Sequence, residues 1–175
     1  MADADWLRGR IRDIPDFPSP GIVFRDLTPL LGDVEAFRFT VDAIADAFAG
    51  RRVDKVVGIE ARGFILAGPV AYRLGAGFVP VRKPGKLPWR TESEDYALEY
   101  GVDQLELHAD GVAPGEQVLI VDDVIATGGT ARATVRLVEK LGATVAGLGF
   151  AVELAYLGGR ERLDGYDIVS LVTYS

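Results

Sequence analysis

The sequence contains no cysteine, which excludes disulfide bonds, thiolate metal sites and cysteine nucleophiles together. A chain without cysteine suits a reducing compartment, so we expect a cytoplasmic protein. No apolar run approaches the ~18 residues that a membrane-spanning helix requires. The first residues, MADADWLRGRIRDIPDF, also lack the apolar core of an export signal. The sequence therefore predicts a protein with no membrane partner.

Positive charge is scarce, because 19 Lys and Arg stand against 26 Asp and Glu, for a net charge of −7. Such a field repels polyanions, so we expect no nucleic-acid partner. The densest group of cations is Arg82, Lys83 and Lys86. This group is too small for a duplex, and its size suits one small phosphorylated ligand.

The length of 175 residues and the hydrophobic share of 49% predict one compact domain over residues 1–175. Apolar runs alternate with segments of helical periodicity, and this favours an α/β fold with a mostly parallel sheet and helices on both faces. In such a sheet the ligand lies beyond the carboxyl ends of the strands. The predicted helices are 33–50 with Asp33 as N-cap, 63–74 and 130–141, and the predicted strands are 55–59, 78–81, 118–121, 145–152 and 168–172.

Residues 82–95, RKPGKLPWRTESED, depart from this alternation. The segment is polar, rich in Pro and Gly and longer than an ordinary connection, so we expect a mobile lid. Residues 96–107 follow it with alternating apolar side chains on either side of Gly101. This pattern predicts an antiparallel pair of strands outside the main sheet.

The most informative motif, VLIVDDVIATGGT, runs from Val118 to Thr130. Gly128 and Gly129 permit backbone angles at which successive N–H groups converge, and with a helix N-terminus they form a cradle for a phosphate dianion. Thr127 and Thr130 can add hydroxyl donors. No Gly-Lys-Thr/Ser follows, so the loop is not a Walker loop. The motif therefore predicts a phosphate site.

Two carboxylates, Asp122 and Asp123, stand just before this cradle. Carboxylates accept hydrogen bonds from vicinal hydroxyls, which suits the neutral part of a sugar phosphate, and they also attract a hard divalent cation. A second strand, turn and helix start lies at Gly58 to Gly63 and carries Arg62. A helix start favours anions, and pyrophosphate is the ligand that we expect here.

The segment Val118 to Thr130 resembles the phosphoribosyl pyrophosphate (PRPP) signature of type I phosphoribosyltransferases, in which four apolar residues, two acidic residues and a Thr-Gly-Gly-Thr turn follow in order. The likeness extends over nearly all 175 residues. It implies the fold of that family, with an N-terminal base-binding hood at residues 1–32 and a flexible loop and hairpin at 82–107. It also implies that Asp122 and Asp123 hold the ribose hydroxyls, while Ala126, Thr127, Gly128, Gly129 and Thr130 wrap the 5-phosphate.

The segment Pro15 to Asp26, PDFPSPGIVFRD, resembles the base-binding segment of the members that use adenine. The resemblance thus implies purine salvage, in which adenine and PRPP give AMP and pyrophosphate. Val23, Phe24, Arg25 and Leu154 match the positions around the base. Another base remains an alternative, as does a PRPP-sensing regulator without turnover, although the chain shows neither an added DNA-binding domain nor a basic surface.

The resemblance also implies roles for residues outside these motifs. Glu99 matches the general acid/base that acts on the imidazole nitrogen of the purine, and Tyr100 closes over the reaction centre. Arg62 is expected to face the pyrophosphate next to a cis peptide at Glu60–Ala61 or its neighbour. Arg82, Lys83 and Lys86 are expected to bind PRPP and can reach a neighbouring subunit's site, which implies a homodimer. Mg²⁺ is expected to be held mainly by the substrate, with Asp122 and Asp123 available as indirect ligands.

Overall fold

The computed structural model describes residues 2–98 and 101–175. Within these residues the chain forms five α-helices, nine strands and two short 3-10 turns. In chain order they are α1 (Ala2–Arg8), β1 (Arg12–Pro15), β2 (Val23–Asp26), α2 (Thr28–Gly32), α3 (Val34–Ala47), β3 (Lys55–Ile59), α4 (Gly63–Leu74), β4 (Gly77–Val81), β5 (Thr91–Leu98), β6 (Gly101–His108), β7 (Gln117–Ile125), α5 (Gly129–Lys140), β8 (Thr144–Leu154), the 3-10 turns Ala155–Leu157 and Gly159–Leu163, and β9 (Ile168–Tyr174). None of the described helices is long and apolar enough to cross a membrane.

Five parallel strands form the main sheet in the order β4-β3-β7-β8-β9, which confirms the predicted α/β fold. Successive residues of the central strand β7 point to opposite faces, as strand geometry requires. Leu119 and Val121 pack with α3 and α4, while Val118 and Ile120 pack with α5 and β6. The apolar strands are continuous because both of their faces are buried.

The helix boundaries follow the predicted signals closely. The Asp33 carboxylate accepts hydrogen bonds from the backbone N–H of Glu35, at 2.9 Å, and of Ala36, at 3.1 Å. It therefore caps α3, as predicted. The helix ends at Ala47, before the predicted end at 50, because the chain leaves through a turn that contains Gly50 at φ 84°. Helix α4 has the predicted bounds, and α5 begins one residue early, at Gly129.

Two antiparallel hairpins lie outside the main sheet. One pairs β1 with β2 inside the segment predicted as the N-terminal hood. The other pairs β5 with β6, and Gly101 is the first residue of β6. Its first strand begins at Thr91, because Thr91 to Asp95 pair with Gln104 to His108. The predicted loop at 82–95 was therefore too long, and the irregular segment ends at Arg90.

Candidate active site

The carboxylate pair lies just beyond the point where the central strand β7 stops pairing with β3. Strand β3 pairs with β7 only as far as Val121, whereas β8 accompanies β7 to Ile125. Asp122 and Asp123 were expected to follow the strand, but they belong to its last four residues. At these residues β7 pairs with a neighbouring strand on one side only, and a cleft opens on the other side, toward the turn after β3.

Asp122 is held in a fixed position at the bottom of this cleft. Its Oδ1 accepts a hydrogen bond from the backbone N–H of Asp123 at 2.9 Å. A Cβ added to Gly63 would lie only 2.5 Å from the same oxygen, so the helix can start this close only because residue 63 is glycine. Burial raises the pKa of the Asp122 carboxyl well above its usual value, and the charge of Asp123 acts in the same direction.

Arg62 reaches into the cleft from the start of α4, as predicted. Its Nε lies 2.6 Å from Asp123 Oδ2, although among the described residues this buried oxygen accepts no well-directed hydrogen bond. Its guanidinium also lies 5.5 Å from the centre of the Phe24 ring. The peptide bond Glu60–Ala61, one residue before the bond that enters Arg62, is cis, as the resemblance implied. Arg62 thus stands between the carboxylate pair and the hood.

The predicted phosphate loop forms a turn between β7 and α5. Gly128 has φ 78°, a left-handed conformation that favours glycine. Its α-carbon also lies against another part of the backbone, since an added Cβ would be 2.5 Å from the carbonyl oxygen of Gly159. The loop residues 126–130 border a cleft of about 510 Å³ together with Tyr96, Ala97 and Arg162. Backbone conformation therefore shapes this site.

A larger cleft, of about 890 Å³, connects the loop with the hood. Ten of the predicted site residues line it, with the hood at one end, the carboxylate pair in the middle and the loop at the other end. The ten are Val23, Phe24, Arg25, Leu154, Arg62, Asp122, Asp123, Ala126, Thr127 and Thr130. Apolar side chains, carboxylates and loop backbone thus follow one another along the cleft.

The hood end of the cleft has two features that were not predicted. The Arg25 guanidinium is already engaged, because it pairs with Asp13 and stacks 3.9 Å from the centre of the Tyr174 ring. Tyr156 and Leu157 also line the cleft and were not among the predicted residues. They follow β8 at the carboxyl end of the sheet, so the rule that functional residues follow strands could have found them.

The predicted cations are not brought into the cleft. Arg82 Nε donates to Glu60 Oε2 at 2.7 Å, and Lys86 Nζ donates to Glu60 Oε1 at 2.8 Å. Burial opposes the ionisation of Glu60, but these hydrogen bonds outweigh it and lower the pKa of the carboxyl below its usual value. Lys83 instead pairs with Asp103 and donates to the Tyr96 hydroxyl at 2.8 Å. Each cation of the cluster therefore has a carboxylate partner. The predicted catalytic residues Glu99 and Tyr100 lie outside the described residues.

Comparison with known proteins places the chain in a family. A family model described as "Phosphoribosyl transferase domain" matches residues 35–172, which include both strand-to-helix turns of the cleft. The fold and the site therefore define a phosphoribosyltransferase, and the chain belongs to this family.

Similar proteins show to which group of phosphoribosyltransferases the chain belongs. The chain is 60% identical over 168 residues to the adenine phosphoribosyltransferase of Thermotoga neapolitana, which covers 96% of this chain and 99% of that protein. The crystal structure of the Thermoanaerobacter pseudethanolicus adenine phosphoribosyltransferase has 53% identity and a TM-score of 0.94, and the match covers 98% and 99% of the two chains. Within the family, the chain belongs with the adenine phosphoribosyltransferases.

Several of the similar structures contain ligands. The Saccharomyces cerevisiae adenine phosphoribosyltransferase, complexed with D-2,5-dideoxy-2,5-imino-altritol 1,6-bisphosphate and adenine, is 40% identical with a TM-score of 0.91, and the match covers 97% of this chain and 98% of that one. That enzyme thus binds a bisphosphate and a purine base.

Proposed function

We propose that this chain joins adenine to the ribose 5-phosphate of PRPP and releases AMP and pyrophosphate. The observation that carries the proposal is the single cleft of about 890 Å³ in which an apolar base wall, a carboxylate pair and a phosphate loop follow one another. The kinship with adenine phosphoribosyltransferases at 60% identity supports adenine as the base.

In this reaction the bond between the anomeric carbon and the pyrophosphate oxygen breaks, and a bond from that carbon to the purine imidazole nitrogen forms. Asp122 and Asp123 accept hydrogen bonds from the ribose hydroxyls, which fixes the sugar while positive charge builds on its ring. Arg62 stabilises the negative charge of the departing pyrophosphate. The nitrogen loses its proton to Glu99, a role that rests on the resemblance alone.

Mg²⁺ fits the residues of this cleft as a partner of the substrate. Within residues 2–98 and 101–175 no cluster of three metal-binding side chains occurs, but Mg²⁺ is commonly held by one or two carboxylates together with substrate phosphates. Asp122 and Asp123, which line the middle of the cleft, are the carboxylates placed for indirect contact with such an ion. When bound, the ion neutralises charge on the pyrophosphate and improves it as a leaving group.

We propose that Arg82, Lys83 and Lys86 bind PRPP after exchanging their carboxylate partners for phosphate oxygens.

We also propose that the enzyme is a homodimer. Tyr72, which is 92% exposed, and Ile65 lie seven residues apart on one face of α4, and Phe78 is exposed on the edge strand β4. A second copy would cover this face. Light scattering should then give twice the chain mass, and Tyr72→Asp should shift the protein toward the monomer; a wild-type monomer would contradict the dimer. A cytoplasmic location stays a prediction from the sequence.

The function is tested by incubating the protein with PRPP, Mg²⁺ and one base at a time, and by measuring both the nucleotide and pyrophosphate. We expect AMP from adenine, and rates at least ~100-fold lower from guanine, hypoxanthine or xanthine, because the base site leaves their different edge groups unpaired. Faster reaction of another base would contradict the adenine assignment. Failure with every base, together with tight PRPP binding, would favour the regulator.

A further inference from the structure

A short segment after β8 supports the phosphate loop from behind. A Cβ added to Gly159 would lie 2.3 Å from the Ala126 carbonyl oxygen and 2.9 Å from the Gly128 nitrogen. Both contacts are between backbone atoms, and no side chain separates the two segments. The position of Gly159 therefore limits the positions that the loop amides can take.

The same segment borders the other end of the cleft. Leu154, Tyr156 and Leu157 line its base end, and Gly158, at φ 67°, turns the chain toward Gly159. One short stretch of chain thus touches the surfaces proposed for the base and for the 5-phosphate. Whatever fixes this stretch also fixes the distance between those surfaces.

One ion pair anchors the stretch to the sheet. Arg160 donates to Glu153 through two nitrogens on one edge of its guanidinium, Nε to Oε1 at 2.9 Å and Nη2 to Oε2 at 2.5 Å. The Ser170 hydroxyl on β9 donates to Oε2 at 2.6 Å, and Arg160 Nη1 donates to the Ile168 carbonyl at 3.3 Å. The Glu153 side chain is only 8% exposed. This bidentate geometry holds the residue next to Gly159 at a fixed place above β8 and β9.

We propose that Arg160 and Glu153 are positioning residues for PRPP. Neither lines the substrate cleft; both border a separate depression beyond β8. Their ion pair holds the Gly159 backbone against Ala126 and Gly128, and so keeps the loop amides at the spacing that a phosphate needs. The inference rests on the proposed function, which makes this loop the 5-phosphate site.

The test compares Arg160→Lys, which keeps the charge but loses the planar fork, with Arg51→Lys. Arg51 also donates to one carboxylate, Asp167 at 2.6 Å, and to one backbone carbonyl, that of Ala146, but it does so at the opposite end of β8 and β9. We expect Arg160→Lys to raise KM for PRPP about tenfold or more, because small misplacements of binding groups are costly. KM for adenine should change less. Arg51→Lys should leave both unchanged.

A second measurement separates positioning from folding. Binding of ribose 5-phosphate, measured by calorimetry, should weaken in Arg160→Lys and Glu153→Gln at temperatures where circular dichroism shows both variants folded. If Arg160→Lys does not fold, Gly159→Ala tests the same contact with the ion pair intact, since its Cβ would press on Ala126. Folded variants with wild-type affinity for ribose 5-phosphate and an unchanged KM for PRPP would overturn the inference. A wild-type protein that forms no AMP would instead overturn the proposed function.

Discussion

The phosphate loop and the cationic cluster are both implied to bind the same sugar donor, but the protein holds them in different ways. The loop is shaped by backbone, with Gly128 at φ 78° and Gly159 packed directly against it. The cluster consists of long side chains whose charges are taken up by Glu60 and Asp103. The loop is therefore present before a ligand arrives, whereas the cluster must first exchange its partners.

This difference shows what each kind of site requires. A backbone cradle needs glycine at particular positions and a neighbouring segment that approaches closely, and it is then preformed. A site of Lys and Arg side chains depends on which anion is nearest, because these side chains are flexible and pair with any carboxylate within reach. Substitutions in the two regions should therefore change the kinetics with PRPP by different amounts and in opposite directions.

The largest effect is expected from replacing both acids of the carboxylate pair. Asp122→Asn with Asp123→Asn exchanges two acidic side chains that bind the ribose hydroxyls for neutral amides. Hydrogen bonds to charged groups contribute about 1.5–3 kcal/mol each, so kcat/KM for PRPP should fall roughly 100-fold or more. The affinity for adenine should fall much less, because the base wall is untouched. Steady-state kinetics with each substrate varied in turn provides the measurement.

The matched control for this double variant is Asp42→Asn with Asp46→Asn. These two carboxylates lie on α3, pair with Arg73 and stand outside the cleft. The control makes the same change of charge and should keep wild-type kinetics for PRPP. Unchanged donor kinetics in the cleft variant would contradict the role assigned to the pair.

A smaller effect is expected from placing a side chain on the loop. Gly128→Ala introduces a positive-φ alanine, and its Cβ would meet the Gly159 carbonyl oxygen at 2.5 Å. Gly50→Ala introduces the same backbone strain, at φ 84°, with no neighbouring atom within 4 Å. Gly50→Ala should lose about 1–2 kcal/mol of unfolding free energy, and Gly128→Ala should lose more because of the additional clash.

Only Gly128→Ala should also lose activity, with kcat/KM for PRPP reduced about tenfold or more. Urea denaturation and steady-state kinetics on both variants separate the shared strain from the specific clash. Equal activity of the two variants would mean that the close packing behind the loop has no part in donor binding.

The sequence predicts the backbone site well because its signals are local. An apolar run, two acids and a glycine-rich turn in Val118 to Thr130 are sufficient to locate a strand, a turn and a helix start. Asp33 as the cap of α3 is predicted for the same reason, since it bonds to Glu35 and Ala36 on its own helix. Such features need no knowledge of distant residues.

The remaining features depend on contacts between distant residues. Strand β5 begins at Thr91 without apolar alternation, because its outer part meets α5 through ion pairs, Glu92 with Lys140 and Glu94 with Arg136. The sequence did not indicate that Glu60 pairs with cations, because its partners lie more than twenty residues away. The backbone contact of Gly159 leaves no trace in side-chain patterns.

At the cationic cluster we expect a substitution that improves the use of PRPP, by a few-fold. Glu60→Gln removes the carboxylate that occupies Arg82 and Lys86, so both cations become available to the pyrophosphate. Because partly exposed ion pairs contribute about 0.2–1 kcal/mol, KM for PRPP should fall up to about fivefold. Glu92→Gln, which releases Lys140 at a distance from the loop, is the control and should leave KM unchanged. A higher KM for PRPP in Glu60→Gln would show that Glu60 supports donor binding instead of competing with it.

The smallest effect is expected at Asp103, where the hairpin meets the cluster. Hydrogen bonds from Lys83, from the backbone of Gln104 and from Tyr96 lower the pKa of this carboxyl from 3.8 to about 2. A lowered pKa means that the folded state favours the charged form, so the stabilisation is complete above the unfolded pKa of about 4 and is lost as the pH falls toward 2. The unfolding free energy of Asp103→Asn should therefore differ from wild type by a constant amount at neutral pH and by less in acid. Lys83→Met should show the same convergence, because it removes the same pair. Denaturant titrations at several pH values measure it, and a difference that stays constant down to pH 2 would show that the Lys83–Asp103 contact does not hold the hairpin in solution.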